Sequence, residues 1–179
     1  MGIYIAFLRG INVAGQKKVP MAALREILVD AGLNEVKTYI QSGNVVFESK
    51  IKSASKLQQL IQKAIEDNFG FKVPTLVKSV NEIEEIIAAN PFDSAEYLEN
   101  NRSYFVLLFE SPLKEHILSF ETMNYPNEEF HISNNCVYLL CKNGYGNAKL
   151  SNNLIERKLK ITATARNYRT MQKLLELAS

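Results

Sequence analysis

The sequence predicts an α+β protein made of two ferredoxin-like units in tandem, each an alpha-beta plait with element order β-α-β-β-α-β. Three observations carry this prediction. The same order of strand-like and helix-like segments runs twice along the chain. The two halves match in order without obvious sequence identity. Pro74 falls in the fourth strand, which in such a plait lies at a sheet edge where a missing N–H is tolerated. The boundaries read as residues 1–78 for the first unit, 79–101 for a connecting helix and linker, and 102–179 for the second unit plus an extra C-terminal helix.

Ile3 to Leu8 is a short apolar run closed by Arg9-Gly10, the pattern of a buried strand. Pro20 suits the first turn of a helix, with Met21, Leu24, Ile27, Leu28 and Ala31 at helical spacing and Gly32 as the stop. Val36–Gln41 and Asn44–Glu48 read as a hairpin around Ser42-Gly43. A two-residue turn there pairs Ile40 with Val45, Thr38 with Phe47 and Lys37 with Glu48. The second helix starts near Ser53 and repeats Leu57, Leu60, Ile61, Ala64 and Ile65, and Phe71–Val77 is the fourth strand.

Ser79 then caps a connecting helix, with Glu82 three residues on completing a capping box and Asn90-Pro91 ending it. Tyr104–Phe109 is a central strand by its unbroken apolar run. Ser111-Pro112 opens a helix carrying Leu113, Ile117 and Phe120. Phe130–Ile132 and Cys136–Cys141 form a second hairpin turning at Asn134-Asn135. A helix from Ala148 to Leu159, a strand near Ile161–Thr164 and a last helix over Tyr168–Ala178 complete the chain.

Composition bounds the function. With 179 residues, 46% of them hydrophobic and 22% charged, the chain is an ordinary globular one, and disorder or fibrous repeats are excluded. No apolar run approaches a membrane span, and Ile3–Leu8 is too short for a signal-peptide core. Two cysteines make no disulfide framework, so a reducing, cytoplasmic setting is expected. The net charge of +2 argues against wholesale nucleic-acid coating. Yet the stretch from Lys142 to Lys173 is strongly basic with Glu156 as its one acid, whereas Glu82 to Glu99 is acidic. Such a basic stretch is either a solvated helix face or a surface for an anionic partner.

The segment from Arg9 to Val19 is the most informative. It leaves a strand and enters a helix N-terminus, where N–H groups and the helix dipole favour an anion. Gly10 and Gly15 have the spacing of a phosphate loop, but Gln16 displaces the lysine and no Mg²⁺-holding Ser or Thr follows, which excludes a P-loop NTPase. Thr162–Thr170 is the second informative segment. Asn167 is a good N-cap for the last helix, while Arg166 and Arg169 oppose its dipole, as Lys149 opposes that of the preceding helix. Guanidinium groups beside exposed N–H donors suit a phosphate or carboxylate. The alternative is that these cations point outward or pair with the acidic linker. In the hairpin, Tyr39, Gln41 and Asn44 share one strand face, a polar face of the type that stacks bases, although the aromatic-glycine pattern of RNA-binding plaits is missing, and the alternative expectation is that Tyr39 packs against the second unit.

No cofactor or metal is expected. Cys136 and Cys141, five apart on one strand, point to opposite faces. His116 and His131 lack an evident nucleophile and acid, and no carboxylate pair marks hydrolytic chemistry.

The stretches LRGINVAGQKKVPMAALREIL, VKTYIQSGNVVF and AKLSNN…TATARNYRTMQKLLEL resemble the bacterial family called domain of unknown function 1697. Two departures are Ala14, where the family usually has a second glycine, and Tyr168, where tryptophan is usual. The resemblance implies a cytoplasmic protein of two plait-like units with no established activity.

From the residues, the expected function is binding of an anionic ligand such as a nucleotide or nucleic acid. Arg9, Lys17, Lys149, Arg166 and Arg169 would supply charge, and Asn12, Gln41, Asn44 and Asn167 directional hydrogen bonds. An enzyme acting on a phosphorylated or carboxylated small molecule without metal is one alternative. A structural or protein-interaction module is the other. No membrane partner is expected.

Overall fold

The computed structural model describes residues 1–179. The chain divides into two compact units, Met1–Glu85 with Gln172–Ser179, and Ile86–Met171. The division therefore falls at Glu85–Ile86 and again inside the last helix.

The first unit runs β1 (Gly2–Leu8), α1 (Met21–Asp30), β2 (Asn34–Tyr39), β3 (Asn44–Ser49), α2 (Ala54–Phe69) and β4 (Thr75–Ser79). Its four strands form an antiparallel sheet ordered β2-β3-β1-β4. Alternation along β1 sends Ala6 and Leu8 to the helix-covered face, where Val45, Phe47, Leu24, Leu28, Leu57, Ile61 and Ile65 close the core. Each Val, Leu, Ile or Phe side chain there contributes roughly 1.5–3 kcal/mol of burial. Ile5 and Phe7, on the opposite face, are equally buried. Part of that face is covered by the end of the last helix, where Lys37 Nζ donates to the Leu177 carbonyl at 3.1 Å. A cation on a helix C-terminal carbonyl also suits the helix dipole.

Local signals set the helix ends. The Ser53 hydroxyl accepts from the Lys56 N–H, and Gly70 closes α2 in the left-handed region. Ser79 and Glu82 form the expected capping box at α3 (Val80–Ala88), with the Ser79 N–H donating to Glu82 Oε2 at 2.8 Å and the Glu82 N–H donating to Ser79 Oγ at 3.3 Å.

The second unit contains α4 (Ala95–Glu99), β5 (Ser103–Leu108), α5 (Lys114–Glu121), β6 (Glu128–Ile132), β7 (Cys136–Cys141), a 3₁₀ turn at Tyr145–Asn147, α6 (Asn152–Leu159), β8 (Ala163–Asn167) and the start of α7 (Tyr168–Ala178). Its antiparallel sheet is ordered β6-β7-β5-β8. Val106, Leu108, Val137, Leu139 and Ala163 face a core completed by Phe120, Ile155 and Leu159. The other face carries Phe105 and Tyr138, whose rings meet edge-on at 5.7 Å, and the buried Tyr138 hydroxyl donates to the Ile86 carbonyl at 2.8 Å. The molecule is thus a mixed α+β protein with two four-stranded antiparallel sheets and seven α-helices. No helix is long and apolar enough to cross a membrane.

Three local expectations are corrected. The first hairpin closes with a four-residue turn, so Tyr39 faces Asn44, Thr38 faces Val45 and Lys37 faces Val46, while Glu48 pairs with Asn34. Ile40 takes φ 50° in the turn and is half exposed, so neither it nor Gln41 belongs to a strand face. Pro74 stands just before β4, because without an N–H the ladder starts one residue later, at Thr75. Lys149 lies outside α6, since the Ser151 hydroxyl accepts from the Leu154 N–H and caps the helix two residues later.

Candidate functional site

In the first unit the segment from Arg9 to Val19 folds into a small hairpin of its own. Asn12 N–H donates to the Lys17 carbonyl at 3.1 Å, and Gln16 N–H donates to the Val13 carbonyl at 2.9 Å. Ala14 at φ 50° and Gly15 at φ 73° form the turn, the two positive φ values that a type I′ turn demands. Asn12 at φ 53° and Lys17 at φ 46° are also left-handed. Three non-glycine residues in that region within one exposed loop store about 1–2 kcal/mol each.

Asn12 holds the loop in this shape. Its Nδ2 donates to the Val19 carbonyl at 3.0 Å and to the Gln41 carbonyl at 2.8 Å, and its Oδ1 accepts from the Val19 N–H at 2.8 Å. One carboxamide thereby ties the loop exit to the β2–β3 turn. Asn44 does the same within that turn. It is fully buried, and its Nδ2 donates to the Tyr39 carbonyl at 3.0 Å and to Ser42 Oγ at 2.9 Å. The Leu8 N–H donates to the Gly43 carbonyl at 2.8 Å, which brings the end of β1 against the same turn. At Gly43 (φ 87°) a Cβ would stand 2.6 Å from Leu8 Cβ and 2.9 Å from Ile11 Cδ1, so glycine is needed for both conformation and space.

Arg9, Asn12, Gln41 and Asn44, distant in sequence, are therefore brought to two adjoining turns. Arg9 is half-buried, and its N–H donates to the Pro74 carbonyl at 2.9 Å. Lys17 reaches away from the turn, with Nζ donating to the Lys72 carbonyl at 3.0 Å. Gln41 is exposed and enters the network through its main-chain carbonyl.

In the second unit β8 runs into α7 with no intervening loop. Asn167 Oδ1 accepts from the Thr170 N–H at 2.8 Å, the expected N-cap. Arg166 is only 7% exposed, and its Nη1 donates to Thr164 Oγ1 at 2.7 Å and to the Ala165 carbonyl at 2.9 Å. Arg169 Nη2 donates to the Glu99 carbonyl at 2.9 Å, so it engages the acidic linker through a main-chain acceptor at the end of α4. Lys149 belongs to another locality. Its side chain is exposed, while the N–H groups of Lys149 and Leu150 both donate to Oε1 of the buried Glu128. Sequence reasoning passed over Glu128, because nothing local marks a strand-end glutamate as the anchor of N–H groups 21 and 22 residues on.

The cysteines sit in the second sheet as buried thiols. Desolvation pushes Cys136 strongly up, and it pushes Cys141 up to about 12, with the Glu128 carboxylate adding to the shift and Arg102 opposing it. Neither is a ready nucleophile. No group of three or more His, Cys, Asp or Glu residues is arranged to hold a metal ion.

The model of a family described as a protein of unknown function, DUF1697, matches residues 1–138. The Thr162–Thr170 motif lies beyond that match. A solved structure, the conserved bacterial protein SP0830 from Streptococcus pneumoniae, is similar across it: 25% identity, 99% of each chain covered and a TM-score of 0.78. No curated protein matches the chain.

Proposed function

The chain belongs to the DUF1697 family, and we propose that it binds an anionic ligand, a nucleotide or nucleic acid, at the turns rooted on Asn12 and Gly43. The supporting observation is the cluster of left-handed non-glycine residues, Asn12, Ala14 and Lys17, in one exposed loop clamped at its root. Backbone strain of that kind persists where a loop is held for use. We also infer that both units are ferredoxin-like plaits, from the strand orders β2-β3-β1-β4 and β6-β7-β5-β8. A cytoplasmic setting is proposed on the two unbridged cysteines.

In this reading the first unit's residues divide by role. Asn12 and Asn44 act as positioning groups, since their carboxamides are engaged in the two turns. Arg9 and Lys17 supply charge there, and Gln41 an exposed amide, whereas Lys149, Arg166, Asn167 and Arg169 lie in the second unit. The bond from Lys17 to the Lys72 carbonyl uses one of its three ammonium donors.

Calorimetric titration with ATP and with a short oligoribonucleotide, repeated at several salt concentrations, tests the reading. Saturable binding that weakens as salt rises is expected, with a steeper slope for nucleic acid. Arg9→Ala is expected to weaken it about tenfold. Absence of salt-sensitive, saturable binding to either probe overturns the reading.

A further inference from the structure

The second unit holds a cleft of about 460 Å³ lined by Glu96, Tyr97, Asn100, Arg102 and Lys142. None of these residues takes part in the turns described above. From the guanidinium at its wall, we infer that this cleft is an oxyanion site for a small molecule bearing a phosphate or carboxylate group.

Arg102 is half-buried, yet its side chain makes no hydrogen bond and no ion pair within the protein. A guanidinium carries five N–H donors in a planar fork suited to an oxyanion, and here none of its nitrogens is sealed from solvent, so the fork is available at the cleft wall. Its main chain, by contrast, is fixed at both ends. The Arg102 N–H donates to the Tyr97 carbonyl at 2.8 Å, and its carbonyl accepts from the Cys141 N–H at 2.9 Å. Asn101, just before it, is held at φ 55°.

The facing loop is shaped around the same group. Gly144 sits at φ 84°, and a Cβ there would come within 3.0 Å of Arg102 Nη1, so the glycine leaves the guanidinium its place. Gly144 N–H donates to the Cys141 carbonyl at 3.0 Å, and Tyr145 stacks on Tyr104 at 4.6 Å, which anchors the loop on the strand that follows Arg102. Lys142 brings a second cation to the cleft, balanced loosely by Glu129 at 3.7 Å. Glu96 is the one acid in the lining, so the site suits a ligand of low charge rather than a polyphosphate.

The test uses the full-length protein labelled with ¹⁵N, titrated separately with inorganic phosphate, with acetate and with a neutral sugar. Saturable amide shifts confined to 96–102 and 142–144 are expected with one or both anions and not with the sugar. The stronger anion assigns the ligand class. Arg102→Gln and, independently, Lys142→Gln are each expected to weaken binding about tenfold or more, while Arg102→Lys retains part of it. Arg9→Ala leaves it unchanged, which separates this site from the one proposed above. Shifts that are absent, that never saturate, or that persist unaltered in folded Arg102→Gln protein overturn the inference.

Discussion

The carboxamide of Asn12 donates to the main-chain carbonyl of Gln41 across 2.8 Å, joining two turns that the sequence separates by most of a βαβ unit. The same side chain makes two further bonds with Val19. Replacing it with alanine leaves the Val19 N–H and two carbonyls without their partner. Asn12→Ala is expected to lower unfolding stability by about 2–3 kcal/mol, measured as a fall in the urea midpoint at unchanged m. A loss below about 0.5 kcal/mol would show that the clamp is dispensable.

Ala14 is a natural comparison within the same loop. It adopts φ 50° in a turn where glycine carries no steric penalty. Ala14→Gly should therefore stabilise, by up to about 1 kcal/mol after the entropy of the unfolded chain is subtracted. Equilibrium denaturation of the single variant decides the sign.

Gly43→Ala should be among the most damaging single-methyl changes in the first unit. The new Cβ would meet the backbone-rooted Leu8 Cβ at 2.6 Å in a left-handed conformation. A loss of about 2–4 kcal/mol is expected. Gly70→Ala, also left-handed but with open space around it, should lose less. Equal losses would show that conformation alone sets the requirement.

The thiols make a pH prediction. Burial, with Glu128 in support, raises Cys141 from 9.0 to about 12. The folded state then keeps its proton where the unfolded chain has lost its own, so stability is full below pH 9 and declines as pH rises toward 12. Burial raises Cys136 and Tyr138 in the same direction. Denaturation midpoints between pH 8 and 11 should fall, and Cys141→Ala should flatten part of that fall. A thiol-specific reagent at neutral pH should label neither cysteine until the protein is unfolded.

At the acid end the capping box answers. Burial pulls the Glu82 carboxyl upward, but bonds from the Ser79 N–H and Lys78 Nζ, the charge of Lys78 and the Ser79 hydroxyl outweigh it and hold Glu82 below its usual 4.5. Its contribution is therefore present above 4.5 and lost as pH falls through the lowered value. Ser79→Ala is expected to destabilise by about 1 kcal/mol at neutral pH. Glu82→Gln should make the stability profile flatter between pH 5 and 3, and an unchanged profile would refute the assignment.

Much of the architecture was legible because its signals are local. The Ser53 cap, the Ser79–Glu82 box and the Asn167 cap each satisfy N–H groups within three residues, so spacing alone reveals them. The register of the first hairpin was not legible. Ile40 has strand propensity, yet the bonds of Asn44 to Tyr39 and Ser42, together with the seat of Gly43 against Leu8, force it into a left-handed turn. Propensity worth tenths of a kcal/mol yields there to buried hydrogen bonds and close packing.

By itself the sequence determined the twofold order of strands and helices, the caps, and which segments carry the unusual polar residues, since periodicity and capping act over one or two turns of chain. Only the tertiary structure decided what those residues do. It turned Asn12 and Asn44 into clamps, set Lys17 on the Lys72 carbonyl and Arg169 on that of Glu99, and left Arg102 facing a cleft. The reason is physical: a side chain's partner is chosen by which main-chain groups the fold leaves unpaired beside it, and that choice is made across sequence distances that no local pattern spans.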